Sequence, residues 1–375
     1  MSAATYDAMI AGGGIVGAAC ADELARRKLR VAVIERDVIG SGATAAGMGH
    51  IVVMDDSEAQ FALTHYSQQL WREVRPELPP EVEFEQCGTI WVAADEEEMA
   101  EVRRKETSYK THGVPVEVLG AEALERAEPN LRKGTAGGLL VPEDCVLYPP
   151  CAARFLMKRA EAHGAKLHLG RTIARMGKGR VWLDDGTEFS APILVNAAGA
   201  WSPELTSGVG VKKRKGHLLI TDRYPGFVRH QLVELGYLKS AHSLVNDSVA
   251  FNAQPRRTGQ ILIGSSRQYG AESAEIDTRV LSRMLRRAQD YLPGLADMSS
   301  IRAWTGFRAA TTDKVPLIGP WPEDKTLYLA TGHEGLGITA SLGTARLLAD
   351  QLMGQTPAIP IEPYLPSREM DRVHA

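Results

Sequence analysis

Several features that would direct a first interpretation are missing from this 375-residue sequence. The formal net charge is only −3 at pH 7, so an excess of one sign gives no reason to expect nucleic acid or an anionic membrane as a partner. No apolar run reaches the about 20 residues that a membrane-spanning helix needs. The few cysteines form no C-x-x-C pair, and they are Cys20, Cys87, Cys145 and Cys151. Free thiols in a reducing compartment are therefore expected, with no metal site.

The apolar stretch from Ala8 to Ala21 also lacks the features of a secretory signal. No Lys or Arg precedes it, Asp7 does, and three consecutive glycines interrupt it. We therefore expect a cytoplasmic protein, with peripheral association at the inner membrane left open. A hydrophobic content of 44% and a charged content of 24% are ordinary for a globular protein. The length predicts two domains, or one domain with a second one inserted.

What the sequence does contain begins with the segment from Ala8 to Gly17. An apolar run, a glycine-rich turn, a helical run and a second apolar run ending at Glu35 follow one another, as in a dinucleotide-binding βαβ unit. Gly12 would permit the sharp turn, Gly14 would let the backbone approach a pyrophosphate, and Gly17 would let helix and strand pack closely. The phosphates would bind at the helix start, and Glu35 would accept the ribose hydroxyls. The alternative is a glycine-rich turn with Glu35 as a solvated charge.

Three later segments place small residues beside a strand or a helix. The loop from Gly40 to His50 would let a flat ligand lie against backbone N–H groups, and a flexible surface loop is the alternative. The apolar run from Pro192 to Asn196 leads into Ala197–Ala200, as a parallel strand ends beneath a bound nucleotide. A glycine-rich loop from Thr331 to Gly337 then precedes a helix, whose positive end would face an electron-rich ligand.

The remaining segments predict an inserted second domain. Strand-like runs dominate it, with a helix predicted from about Ile276 to Tyr291. The predicted fold class is α/β, a Rossmann-like dinucleotide-binding domain with an inserted α+β domain on a mostly antiparallel sheet. The first domain is predicted to comprise residues 1–80, 146–212 and 312–375, and the second residues 81–145 and 213–311.

With these segments in order, the chain resembles the FAD-dependent D-amino-acid oxidase superfamily, which includes glycine oxidase and sarcosine oxidase. The resemblance extends over nearly the whole length through four blocks, which are Gly12–Glu35, Ser41–His50, Val195–Ser202 and Trp304–Ile338. Within the superfamily, three stretches are most similar to the bacterial D-hydroxyproline dehydrogenases, namely Ala45–Asp56, Gly216–Gly226 and His230–Tyr237. The resemblance implies an FAD-binding domain and a substrate-binding domain.

The resemblance also implies a role for each matching position. The glycine motif and Glu35 would hold the ADP half of FAD, and the later loops would lie along the phosphates and the isoalloxazine. The residues expected to bind the cofactor are Gly12, Gly14, Ile15, Val16, Gly17, Glu35, Arg36, Ser41, Thr44, Ala45, Ala46, Gly47, Met48, Ala198, Gly199, Trp201, Gly332, Gly335, Leu336, Gly337, Ile338 and Thr339. Sarcosine oxidases attach the flavin through a cysteine in the C-terminal region. No cysteine follows Cys151 here, so non-covalent FAD is expected.

Three residues are candidates for catalysis or substrate binding. Arg308 matches the arginine with which family members bind the substrate carboxylate, and a guanidinium has paired donors for bidentate contact. An ordinary ion pair is the alternative for Arg308. His50 and His333 are expected near the flavin ring, where they could tune proton release, although histidines more often have a structural role.

One strand departs from the family pattern. D-amino-acid oxidases place tyrosines over the substrate, and the comparable stretch here, Val249–Gln254, has none. Tyr237 or Tyr269 could serve instead. Asn252 and Gln254 are expected either to hydrogen-bond a ring hydroxyl or to face solvent.

The resulting prediction is an FAD-dependent oxidoreductase acting on the C–N bond of a small D-amino or imino acid. The favoured substrate is cis-4-hydroxy-D-proline, oxidised to its cyclic imine by hydride transfer from Cα to flavin N5, which would place the enzyme in hydroxyproline catabolism. The alternatives are a glycine- or sarcosine-type amine oxidase, a flavin subunit of a larger dehydrogenase complex, and a non-catalytic FAD-binding protein. The electron acceptor is left open between a quinone, a partner protein and oxygen.

Overall fold

The computed structural model describes residues 6–236 and 247–368, and the chain divides into two compact units. The first unit comprises Met1–Val82, Tyr148–Lys213 and Phe307–Ala375, and the second comprises Glu83–Leu147 and Arg214–Gly306. The sequence pattern placed the last change of domain after residue 311, whereas the contacts place it before Phe307, inside a continuous strand. A strand that runs through a boundary has no turn residues to mark it.

In chain order, the strands are β1 (Ala8–Ala11), β2 (Val31–Glu35), β3 (His50–Ile51), β4 (Thr89–Ala93), β5 (Glu117–Gly120), β6 (Gly137–Val141), β7 (Cys145–Val146), β8 (Lys166–Leu169), β9 (Ile173–Gly177), β10 (Arg180–Leu183), β11 (Glu188–Ser190), β12 (Ile193–Asn196), β13 (Lys212–Arg223), β14 (Gln231–Glu234), β15 (Ser248–Pro255), β16 (Gln260–Tyr269), β17 (Ser300–Ala310), β18 (Leu317–Trp321), β19 (Asp324–Thr331) and β20 (His333–Glu334). The helices are α1 (Ile15–Arg26), α2 (Glu58–Val74), α3 (Glu96–Thr111), α4 (Ala121–Ala127), α5 (Pro149–Ala162), α6 (Ser202–Leu205), α7 (Thr278–Tyr291) and α8 (Gly337–Leu352).

The first unit is built on a sheet with the order β18-β19-β12-β1-β2-β8. Neighbouring strands from β19 to β8 are parallel, and β18 at the edge is antiparallel to β19. β1 and β2 are buried at every position, as continuous apolar runs in a parallel sheet require. α1 packs against both α5 and α8, and α2 packs against α8. This arrangement confirms the predicted Rossmann-like α/β fold.

The second unit is built on a sheet with the order β17-β13-β16-β15-β14-β4-β6-β5. The described pairs are antiparallel except for β4 and β14, which are parallel. One face forms an apolar core with α4 and α7, in which Phe251 stacks on Tyr291 at a centroid distance of 4.5 Å. The mostly antiparallel sheet with helices on it confirms the predicted α+β character of the inserted part.

The helix predicted from about Ile276 begins two residues later, as α7, for a local reason. The Asp277 carboxylate accepts the N–H groups of Arg279 and Val280, which makes Asp277 the N-cap. Val280 is buried together with Met284, and positions spaced by one helical turn therefore face the core.

Candidate cofactor cradle and substrate residues

The glycine motif lies between β1 and α1, and its glycines are needed for steric reasons. Gly12 has a φ of +104°, and a Cβ atom there would lie 2.7 Å from the Ala197 backbone oxygen. A Cβ atom on Gly17 would lie 2.0 Å from the Gly12 oxygen. Gly14 is the N-cap of α1 and has no side chain to cap it. The helix start therefore presents its backbone N–H groups and its positive end to a ligand.

Two side chains bond to this turn. The Thr44 hydroxyl accepts the Ile15 N–H at 3.0 Å. The Glu35 carboxylate accepts the Gly13 N–H at 2.6 Å and the Asp37 N–H at 2.8 Å, and Glu35 is only 8% exposed. Glu35 is thus a buried, bonded group and not a solvated charge. A carboxylate has about four acceptor positions, so two remain for the ribose hydroxyls that the prediction assigns to it.

An aromatic ring joins two of the predicted cofactor segments. The guanidinium carbon of Arg36 lies 4.5 Å from the centroid of the Trp201 ring. A Cβ atom on Gly42 would lie 3.6 Å from the same ring. The Gly199 carbonyl accepts the Thr331 hydroxyl at 3.0 Å, which ties the end of β12 to the end of β19. These contacts join the segments that follow β2, β12 and β19 at the carboxyl edge of the parallel sheet.

The loop of small residues after β2 packs against the first turn of α8. A Cβ atom on Gly47 would lie 2.7 Å from the Ile338 Cδ1 atom, so a larger residue would push the two segments apart. Thr339 is completely buried and donates its hydroxyl to the His50 carbonyl at 2.9 Å. Met48 is 6% exposed. The end of the loop, from Gly47 to His50, is therefore packed into the first unit, whereas Gly42, Ala43 and Ala45 are exposed.

The start of α8 is a second uncapped helix end. Gly332 has a φ of +81°, and a Cβ atom there would lie 2.6 Å from the Thr311 Cγ2 atom. Leu336 is the N-cap and makes no side-chain capping bond, so the positive end of this 16-residue helix is presented by the glycine-rich loop. We use the name cofactor cradle for residues 12–17, 35–48, 198–201 and 332–339.

The two candidate histidines occupy different environments. His333 is buried, its Nε2 atom lies 2.8 Å from the Thr344 hydroxyl, and burial lowers its pKa to about 4. It is therefore neutral at neutral pH and is engaged in the packing of α8, which favours the structural role. His50 is half-buried in β3, and its carbonyl receives the Thr339 hydroxyl.

Arg308 lies half-buried on β17, in the part of that strand that belongs to the first unit. Its Nε atom would lie 3.8 Å from a Cβ atom on Gly335. The side chain therefore runs along the glycine-rich loop before α8, residues 332–337, which we call the cofactor loop. β20 pairs with this end of β17, with Ala309 opposite Glu334 and Ala310 opposite His333. The structure therefore brings Arg308 together with the helix-start loop that the sequence assigned to the flavin.

The second unit holds the other predicted substrate residues. Asn252 is 7% exposed and Gln254 is 0% exposed, so the solvent-facing alternative for these amides is excluded. Tyr269 is held by Arg214, whose Nη1 atom donates to the phenol oxygen at 2.8 Å. Tyr237 lies outside the described residues.

Asn252 and Gln254 belong to a row of polar residues that the sequence pattern missed. We call this row the polar strip, and it consists of Thr89, Trp91, Gln231, Asn252 and Gln254. Cross-strand register puts these residues on one face of the sheet, opposite the apolar core. The sequence pattern missed this row because β14, which lies between β4 and β15, is contributed by residues far from β4 in the chain.

The cofactor cradle fits a flavin dinucleotide. Two glycine-lined helix starts provide N–H groups for anionic and electron-rich atoms, and a buried carboxylate stands at the end of β2. The glycines at which a Cβ atom would collide with backbone, Gly12 and Gly17, allow the turn, α1 and the end of β12 to pack closely together.

Comparison with known proteins identifies the class. The family model described as FAD dependent oxidoreductase, the DAO family, matches residues 7–351, and the chain belongs to this family. The protein is therefore an FAD-dependent oxidoreductase.

Individual relatives and a solved structure are similar to the chain over nearly its whole length. The chain is 29% identical to a glycine oxidase of Geobacillus kaustophilus, over 98% of both chains. It is 27% identical to a hydrogen cyanide synthase subunit of Pseudomonas aeruginosa, over 97% of this chain and 96% of the relative. The crystal structure of glycine oxidase from Geobacillus kaustophilus matches with a TM-score of 0.86 at 27% identity, covering 96% of this chain and 98% of that one. Among the described residues, no helix is both long and apolar enough to cross a membrane.

Proposed function

We propose that this enzyme oxidises a small D-amino or imino acid and that cis-4-hydroxy-D-proline is its substrate, with a cyclic imine as the product. The proposal that the substrate is an amino or imino acid depends on the position of Arg308 along the cofactor loop. Its Nε atom lies 3.8 Å from the Cβ position of Gly335. A guanidinium in this place supplies two parallel donors for a carboxylate. Bound FAD, held without a covalent bond, supplies the two-electron acceptor.

The side chains of the chain would then bind and orient the substrate. Arg308 fixes the carboxylate, which leaves the Cα–H bond as the part of the molecule whose direction the site must control. The amine has to be neutral to be oxidised, so the site favours its deprotonated form. His333 contributes no proton at neutral pH because burial lowers its pKa to about 4. Because hydride transfer starts from an amine that is already neutral, no dedicated base is required, and His50 stays a candidate for tuning proton release.

The choice of a hydroxylated imino acid is supported by the sequence blocks Ala45–Asp56 and Gly216–Gly226, which are similar to D-hydroxyproline dehydrogenases.

The test is anaerobic bleaching of the flavin absorbance of the purified protein by a panel of substrates. The panel contains cis-4-hydroxy-D-proline, D-proline, glycine, sarcosine and D-alanine. We expect the lowest half-saturating concentration for cis-4-hydroxy-D-proline. Absence of bleaching by every member of the panel would contradict amino-acid oxidation by this protein.

A glycine- or sarcosine-type amine oxidase is the second candidate. It is favoured by the 29% identity to a glycine oxidase over 98% of both chains. The same panel separates the two, since glycine or sarcosine would then bleach the flavin at the lowest concentration. Peroxide formation in air, set against reduction of an artificial acceptor, distinguishes an oxidase from a dehydrogenase that needs a quinone or a protein partner.

A further inference from the structure

Helices α2 and α8 of the first unit are joined by two hydrogen bonds between buried groups. The Trp71 indole N–H of α2 donates to the Thr339 carbonyl of α8 at 3.1 Å. The Ser67 hydroxyl of α2 accepts the Gly343 N–H of α8, also at 3.1 Å. Trp71, Ser67 and Thr339 are completely buried, so water does not compete for these bonds. Hydrogen bonds are directional, and these two fix the position of α8 along α2.

Both bonds act on one backbone hydrogen bond of α8. In an α-helix, the N–H of Gly343 is paired with the carbonyl of Thr339, four residues earlier. Trp71 and Ser67 are also four residues apart, so their side chains lie on the same face of α2. One side chain therefore donates to the acceptor of that backbone bond, and the other accepts from its donor. A shift of α8 by one residue along α2 would break both contacts.

The close approach of the two helices depends on Gly343. A Cβ atom there would lie 2.3 Å from the Ser67 Oγ atom and 3.0 Å from the Leu63 Cδ1 atom. The side chains of α2 therefore contact the backbone of α8 directly. This contact lies about two turns inside α8, which begins at Gly337.

The segment of α8 that Trp71 holds belongs to the cofactor cradle. The Trp71 N–H lies 3.3 Å from the Ile338 carbonyl and 3.1 Å from the Thr339 carbonyl, and the sequence assigned both residues to the cofactor. Thr339 also donates its hydroxyl to the His50 carbonyl, which holds β3. Trp71 is thus connected, through Thr339, to the helix start and to the end of the loop of small residues.

The position of the start of α8 has an electrostatic consequence. The helix has no side-chain cap, and its positive end acts on charges near the first turn. Because a reduced flavin carries more negative charge than an oxidised one, this end favours the reduced form of bound FAD. Coulomb energy falls with distance, so the preference depends on where the helix start is held.

We propose that Trp71 and Ser67 are positioning residues, which hold the start of α8 in place in the cradle and so raise the reduction potential of bound FAD. Neither residue belongs to the cradle, and both act through the backbone of α8. Trp71 has the larger effect, because it bonds to carbonyls of the first turn, whereas Ser67 bonds one turn later. This inference rests on the binding of FAD and not on the proposed substrate.

The experiment measures the reduction potential of the flavin in the purified, FAD-loaded protein, against reference dyes and without any amino acid. Trp71→Phe keeps a buried aromatic ring and removes the N–H, and Ser67→Ala removes the hydroxyl. We expect Trp71→Phe to lower the equilibrium constant for two-electron reduction roughly tenfold, a shift of about 30 mV to more negative potential. Ser67→Ala should lower it roughly threefold, or about 15 mV.

Trp321→Phe is the matched control. Trp321 is buried in the core of the first unit, at the end of β18. Because β18 is antiparallel to β19, this end lies at the amino edge of the parallel strands, opposite to the cradle. Trp321→Phe should lower the melting temperature, as Trp71→Phe does, since each removes part of a buried ring. It should leave the reduction potential at the wild-type value.

A wild-type reduction potential in both Trp71→Phe and Ser67→Ala would overturn this inference, whatever their melting temperatures. If Trp71→Phe does not retain FAD, Ser67→Ala carries the test, because it removes only one buried oxygen atom. A more negative potential in a protein whose flavin no imino acid bleaches would support this inference and contradict the proposed function.

Discussion

The cofactor cradle and the polar strip are built from different parts of the chain. The cradle is made largely of backbone, with glycines such as Gly12 and Gly17 where any side chain would collide. Its polar side chains are paired, as the bonds of Glu35 show. The strip is made of side chains, and three of its polar atoms have no partner among the described residues. A paired, sterically determined region suits a cofactor that is always the same.

The substitution with the largest expected effect on the cofactor cradle is Gly17→Ala. A Cβ atom there would lie 2.0 Å from the Gly12 oxygen, so α1 and the glycine turn would have to separate. We expect a loss of about 3 kcal/mol in stability and loss of bound FAD, measured by melting temperature and by the ratio of flavin to protein absorbance. Gly120→Ala is the control, since no atom lies within 4 Å of its Cβ position. Wild-type flavin content in Gly17→Ala would show that the cradle tolerates a side chain.

Arg308→Ala tests the link between the cradle and the substrate. Loss of a charge-assisted, bidentate contact costs about 1.5–3 kcal/mol, so the half-saturating substrate concentration should rise roughly tenfold to a hundredfold. Flavin content should stay near that of the wild type. Arg302→Ala, which removes an exposed arginine of the same strand, should leave the titration unchanged. An unaltered substrate dependence in Arg308→Ala would remove this arginine from the substrate site.

The smallest expected effect is on the pH dependence of stability, and it tests whether His333 is packed in the cradle as a neutral side chain. Its pKa falls from the usual 6.5 to about 4 because it is buried. Above pH 6.5 the imidazole is neutral in the folded and the unfolded chain, and it makes no difference to stability. Between pH 6.5 and about 4 the unfolded chain takes up a proton that the folded chain does not, so stability falls as the pH falls.

At pH 5 the buried, neutral His333 should lower the free energy of unfolding by about 2 kcal/mol relative to its value above pH 6.5. Melting temperatures at pH 7.5 and pH 5 are measured for the wild type and for His333→Gln. The variant should lose several degrees less on acidification than the wild type does. His112→Gln, at an exposed histidine, is the control. If the wild type and His333→Gln lost the same number of degrees in melting temperature between pH 7.5 and pH 5, this imidazole would be protonated in the folded protein at pH 5.

The fold class and the FAD-dependent family could be predicted from the sequence, whereas parts of the site could not. Gly12, Gly17 and Glu35 lie close together in the chain, and the steric need of a βαβ turn selects these residue types locally. The burial of Asn252 and Gln254 was left undecided in the sequence pattern, because alternation along a strand does not say whether the second face is covered. The continuity of β17 through residue 306 was likewise hidden, since no turn marks the division.

The sequence by itself determined that the protein binds a dinucleotide, because the glycine, acid and helix-start signals act between residues that are near in the chain. The resemblance of four ordered blocks to a known family then indicated that this dinucleotide is FAD. The tertiary structure decided which polar side chains share a surface. Thr89 and Asn252 are brought to one face by β14 between them, and Arg308 is brought to Gly335 by the end of β17. Strand register over long sequence separations is set by the packing of the whole sheet, and no local pattern encodes it.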